Sequence, residues 1–127
     1  MSNKSDNKTK GNYGEEIAAK ELMKKGYRIL SRNFYCKIGE IDIIAQDGEV
    51  IVFVEVKYRK STNYVLPGQA VNLKKRRHII KTALYYLQKN DLFDHDVRFD
   101  VFEIVKRNEK IWIRHVQNAF DINAKSC

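Results

Sequence analysis

Asp42, Glu55 and Lys57 fall within one stretch, GEIDIIAQDGEVIVFVEVK from Gly39 to Lys57. Two carboxylates beside an ammonium are the groups that hold a divalent cation and stabilise charge on a phosphate. The backbone of the same stretch must position them. Apolar alternation on both sides of Asp47-Gly48 is a strong hairpin signal, giving two antiparallel strands joined by a tight turn. If Gln46 pairs with Glu49, Ile41, Ile43 and Ala45 face Val54, Val52 and Val50 on one apolar side, the expected core. The other side carries Glu40, Asp42, Ile44, Ile51, Phe53, Glu55 and Lys57. In that register Asp42 and Glu55 are diagonal neighbours, about 7 to 8 Å apart between backbones. Carboxylates at that spacing can reach a shared cation, and they repel each other unless something positive lies between them. A divalent metal together with Lys57 would meet that need. An amphipathic hairpin with a solvated outer face would give the same pattern. Against it, Val50 to Val56 is the most apolar strand of the chain, as a central strand covered on both faces would be, and charge there needs a partner.

The flanking elements follow in chain order. Met1 to about Lys10 is polar and lysine-rich and reads as a disordered basic tail, residues 1–11, ahead of a single domain over 12–122 and a short tail, 123–127. Asn12 to Lys25 has helical spacing, with Ala18, Ala19 and Leu22 as its apolar stripe. Glu15 belongs to that stripe and points toward the buried side; complementing the helix dipole is the plainer explanation of a carboxylate there. Tyr27 to Tyr35 reads as a strand, Tyr58 to Gln69 as a polar loop with Pro67-Gly68, and Val71 to Lys89 as a second helix. Its apolar stripe is Ile79, Ile80, Ala83, Leu84 and Leu87. Val97 to Val105 and Lys110 to Val116 form a terminal hairpin turning at Asn108. Arg98 and Asp100 share a strand face there and are read as a structural pair.

With 127 residues and 43% hydrophobic content, the chain is long enough for one cored domain and too short for two. No apolar run exceeds the five residues Val50 to Val54, and the N-terminus lacks a secretory signal, so a cytoplasmic protein with no membrane contact is expected. Cys36 and Cys127 have neither metal-ligand nor disulfide spacing, and His78, His95 and His115 share no spacing that would suit zinc. The net charge of +8 is concentrated in Lys74, Lys75, Arg76, Arg77 and Lys81 on the second helix. One side of that helix is apolar and the other basic, which suits a phosphate backbone. A solvated helix face is the alternative.

Together these residues resemble the PD-(D/E)XK nuclease superfamily, which includes RecB-type nucleases and archaeal Holliday-junction resolvases. The resemblance rests on a helix Glu15, a strand Asp42, and Glu55-Val56-Lys57 separated from Asp42 by twelve residues. It is closer to the small bacterial YraN family, also described as endonuclease-like. Gly14-Glu15, Asn33, Gly39-Glu40-Ile41-Asp42, Phe53 to Lys57, Ala70-Val71, Lys74 and Arg98-Phe99-Asp100 carry that likeness over roughly Gly11 to Val105. Ile41 stands where the superfamily's name has proline, and Gln69 aligns only loosely with a polar residue of some relatives. The resemblance implies a restriction-endonuclease-like α/β domain, a mixed sheet in the order helix-strand-strand-strand-helix-strand-strand. It also implies magnesium, or manganese in its place, held by Asp42, Glu55 and the main-chain carbonyl of Val56. Lys57 and Glu15 would complete the catalytic set, with Glu40 and Gln69 as accessory groups. The substrate would be nucleic acid, DNA before RNA, structured or branched, cut by a homodimer. A module that binds nucleic acid without cutting it, or a scaffold that recruits another protein, would also fit the charge pattern.

Overall fold

The computed structural model describes residues 2–60 and 72–121, with side chains from Tyr13 onward. The expected 58–69 loop beyond Lys60, including Gln69 and Pro67-Gly68, lies outside the described residues, as do Ala70-Val71 and the 123–127 tail. Seven elements follow one another: α1 (Ser2–Lys24), β1 (Arg28–Tyr35), β2 (Glu40–Asp47), β3 (Val50–Lys60), α2 (Leu73–Lys89), β4 (Asp96–Arg107) and β5 (Lys110–Phe120). This is the order expected from the sequence. The five strands form one sheet in the order β1-β2-β3-β4-β5, antiparallel throughout except for the parallel pair β3 and β4. Parallel neighbours need a crossover, and α2 lies in it.

The helices cover opposite faces. Ala18, Ala19 and Leu22 of α1 pack on Ile43, Ala45, Val52, Val54, Phe102 and Ile104. Ile79, Ala83, Tyr86 and Leu87 of α2 pack on Ile41, Ile44, Ile51, Phe53, Phe99, Val101 and Phe120. Alternate residues of β3 thus enter opposite cores, as expected for the central strand. Phe53, Phe99 and Phe120 stack across the sheet with ring centroids 5.5 and 5.0 Å apart, an offset arrangement that adds to simple burial. No helix among the described residues is long and apolar enough to cross a membrane.

Four differences from the expectations have a local physical reason. The α1 helix starts at Ser2, so the polar segment read as a tail continues the helix: it contains no proline, and an amphipathic nucleus can propagate into such residues. β3 runs on to Lys60, because Tyr58 and Lys60 keep pairing with Ile104 and Lys106. The β2–β3 turn is centred on Gly48-Glu49, with Asp47 paired to Val50, so the register is two residues away from the one expected. Gly48 has φ 62° at the first central position, which a type II′ turn requires of glycine, and Asp47 is left free to pair and to accept Arg98 at 3.1 Å. Finally, Ile41 enters the α2 core rather than joining Ile43 beneath α1. Between the pairs Arg32–Ile43 and Phe34–Ile41 stand Asn33 and Asp42, and Asn33 has a left-handed φ of 56°, so the alternation of faces breaks at Asp42.

Candidate active site

The observed register brings the two strand carboxylates closer than the expected one. The β2–β3 ladder ends at Ile43–Val54, and extending it would set Asp42 across from Glu55 rather than on the diagonal. Beyond the last pair, Asp42 takes over the role of a main-chain acceptor: its Oδ2 accepts the Val56 N–H at 2.8 Å. Burial, and next the neighbouring Glu55 charge, push the Asp42 carboxyl up to about 8 from its ordinary 3.8. Glu55 itself is buried. Lys75 Nζ lies 2.5 Å and Lys57 Nζ 3.4 Å from Glu55 Oε2.

The two ammonium groups differ. Burial, and then the neighbouring Lys75, lower the Lys57 pKa against the pull of Glu55. For Lys75, burial acts downward, yet its contacts with Glu55 and Lys57 and the Asp42 charge together outweigh that and raise the pKa. Lys75 therefore holds its proton on Glu55 while Lys57 is the readier of the two to release one.

Glu15 reaches this region from α1 through a close helix-to-sheet contact. A Cβ on Gly14 would stand 2.8 Å from Tyr58 Cβ, so only glycine lets this turn of α1 lie so near β3. Glu15 is buried and its Oε1 has no hydrogen-bond partner. Burial raises its pKa, with Arg32 and the Asn33 side chain opposing. The charge of Glu15 also contributes to raising Asp42. Even so, no three His, Cys, Asp or Glu side chains among the described residues converge closely enough to hold a metal. The structure brings Asp42 and Glu55 together as a pair with Lys57, and leaves Glu15 as a neighbour.

Of the basic residues on α2, Lys75 alone turns into this site. Asn72 caps the helix, its side chain accepting the Lys75 N–H at 2.9 Å, and this fixes Lys75 in the first turn over the end of β3. Lys74, Arg77 and Lys81 are exposed, and Arg76 lies over the Phe120 ring at 5.6 Å. A cleft of about 370 Å³ opens between this helix end and the start of β2, lined by Gly39, Glu40, Asn72, Lys74, Lys75 and His78. Glu40, expected as an accessory group, is on its rim.

Sequence reasoning did not single out Lys75 as part of the site; Asn72 as an N-cap three residues before it was the available signal. It also missed Glu103, buried on β4 and in register with Lys57, because nothing in the sequence fixes the parallel pairing. Arg98 and Asp100 do pair, as expected, through Nε–Oδ1 at 2.9 Å and Nη2–Oδ2 at 3.0 Å. His115, Tyr27, Asp47 and the Asn118 N–H complete that network on the α1 side of the sheet.

The donor set suits a hard cation: two carboxylates in a half-dry site, one of them holding its proton abnormally tightly through burial and then the other's charge, and a buried unpaired Glu15 oxygen nearby. A family model described as Uncharacterised protein family UPF0102 matches residues 14–104. The chain belongs to this family. It is the YraN-like family that the motifs resemble. UPF0102 proteins of Clostridium acetobutylicum and of Caldanaerobacter subterraneus subsp. tengcongensis are 46% and 47% identical, over 91% and 92% of this chain and 97% and 98% of their own lengths. A UPF0102 protein of Persephonella marina is 49% identical over 90% of this chain and 95% of its own. The UPF0102 match takes in Glu15, Asp42, Glu55 and Lys57, and stops before β5.

Proposed function

We propose that this UPF0102 chain is a metal-dependent nuclease of the PD-(D/E)XK type that hydrolyses phosphodiester bonds of nucleic acid, DNA before RNA, in structured or branched substrates. The observation that carries this reading is the half-buried Asp42 beside the buried Glu55, with Lys57 next to them, at the place where β2 and β3 stop pairing. Asp42, Glu55 and the Val56 carbonyl would hold magnesium or manganese, which when bound supplies Lewis-acid polarisation of the phosphate and a more acidic water. Lys57 Nζ, as the neutral amine that its lowered pKa favours, orients the attacking water and takes up its proton, and the ammonium so formed stabilises charge developing on the phosphate oxygens. Lys75 anchors the first turn of α2 on Glu55, so the exposed Lys74, Arg77 and Lys81 are set to run along a phosphate backbone. Nothing in this set reads base edges, so recognition by backbone shape is the natural mode.

The test is cleavage of a panel of branched and linear DNAs with magnesium, with manganese and with chelator. Wild type should cut with either metal and stop in chelator, while a folded Lys57→Ala protein should cut about a hundredfold more slowly or worse. Cleavage that ignores the chelator, or a Lys57→Ala protein as fast as wild type, would sink the proposal. One observation favours a second reading, a module that binds nucleic acid without cutting it: Lys75 already neutralises Glu55 with no metal needed. That reading expects nucleic-acid affinity unchanged in Asp42→Ala and Glu55→Ala proteins, and no cleavage by any form.

A further inference from the structure

Trp112, the chain's single tryptophan, is 62% exposed at the tip of the β4–β5 hairpin, and its neighbours Ile111 and Ile113 are 40% and 42% exposed. Large apolar side chains on an edge strand are a hazard that proteins usually avoid, unless a partner covers them.

The sheet register shows where this tip lies. Lys57 pairs with Glu103 and Arg59 with Val105; Glu103 then pairs with Arg114 and Val105 with Trp112. Residues in register share a sheet face. Lys57, Glu103 and Arg114 therefore form one row, and Arg59, Val105 and Trp112 the next, on the face that also carries Glu55. Two strand spacings and two residues separate Lys57 from Trp112, roughly 12 Å between their backbones. α2 packs over Phe53, Phe99 and Val101 on this face, and Lys75 in its first turn reaches Glu55 and Lys57.

We propose that Trp112 is a stacking platform for an unpaired base of the nucleic-acid strand engaged at Glu55 and Lys57, an assignment that rests on the nuclease reading and narrows its substrate to nucleic acid with a single-stranded segment beside the site. The surroundings fit a polyanion. Arg59, Arg107, Lys110 and Arg114 share the indole's face of the sheet, with Glu103 the acid paired to Arg114. An indole face on an edge strand offers stacking to any base that is free, whereas bases inside a duplex have both faces covered. A second copy of this chain fits less well: pairing two β5 edges would bring Lys110 and Arg114 of both copies onto one interface, like charge against like.

Because Trp112 is the only indole, its fluorescence reports this site alone. The full-length protein in chelator, which prevents cutting, is titrated with a thymidine oligonucleotide and with a blunt, fully paired duplex of the same length. The single strand should quench the emission and the duplex should not at equal occupancy. By anisotropy of labelled oligonucleotides, Trp112→Ala should bind the single strand about tenfold more weakly, with Trp112→Phe intermediate and the duplex affinity unchanged. The exposed position makes these variants mild for folding, which circular dichroism checks. An unquenched Trp112 with the strand bound, or a Trp112→Ala protein that binds the single strand as wild type does, overturns the platform. So does quenching without nucleic acid that accompanies dimerisation abolished by Trp112→Ala, since the occupant would then be a second copy. Quenching that persists in a protein unable to cut with magnesium supports the platform and refutes only the nuclease reading.

Discussion

Asp42→Asn should make the metal-free protein more stable, and increasingly so as pH rises. Burial and the adjoining Glu55 raise the Asp42 carboxyl from its ordinary 3.8 to about 8. The folded state thus binds this proton more tightly than the unfolded chain does, so the stability it contributes falls as pH climbs above about 4 and levels off above about 8. Four pH units at about 1.4 kcal/mol each set a ceiling near 6 kcal/mol, of which roughly 4 kcal/mol is already lost at pH 7. Asparagine keeps the shape, and its side-chain oxygen can still accept the Val56 N–H, so the substitution removes the charge conflict with little else. Urea unfolding in chelator, followed by circular dichroism between pH 5 and 9, should show wild type losing stability across that window. The Asp42→Asn protein should gain about 2–4 kcal/mol by pH 8, with a much flatter profile. A variant no more stable than wild type at any pH, together with a flat wild-type profile, would refute the reasoning that these two carboxyls conflict.

Gly14→Ala normally helps a helix by about 1 kcal/mol, but here the new Cβ would meet Tyr58 Cβ at 2.8 Å, so thermal unfolding should show a loss of about 1–3 kcal/mol instead. Asp100→Ala should cost about 3–5 kcal/mol in urea, because it strips a fully buried carboxylate from Arg98 and His115. Although burial pushes the Asp100 pKa up, the His115, Arg98 and Asn118 contacts outweigh it and hold the value below 3.8. The stability that Asp100 supplies is therefore complete above about pH 4 and is lost as pH falls through its depressed folded value, so wild type should show an acid limb that Asp100→Ala lacks.

Much of this architecture could be read from spacing alone, because the elements that matter are strongly periodic. Val50 to Val56 alternates between two cores, which identifies a central strand, and α2 carries its stripe at Ile79, Ala83 and Leu87. The site's main groups came from the same stretch, since Asp42, Glu55 and Lys57 lie within one hairpin. What the sequence hid depends on contacts between distant segments or on one torsion. The turn slipped to Gly48-Glu49 because one residue with positive φ satisfied it, where an Asp-Gly turn needs two. Lys75 looked like one more cation of a basic face; only the Asn72 cap and the height of α2 over β3 aim it at Glu55. The Asp100 network joins residues from four segments, of which only the Arg98 pair is local enough to read.

The account turns on whether Asp42 and Glu55 share one cation. Manganese titration of chelator-stripped protein, read by paramagnetic resonance of the free ion, measures this directly. Wild type should bind the ion at a site that Asp42→Asn and Glu55→Gln each abolish while remaining folded. Equal binding by all three proteins, or none by wild type, would contradict it.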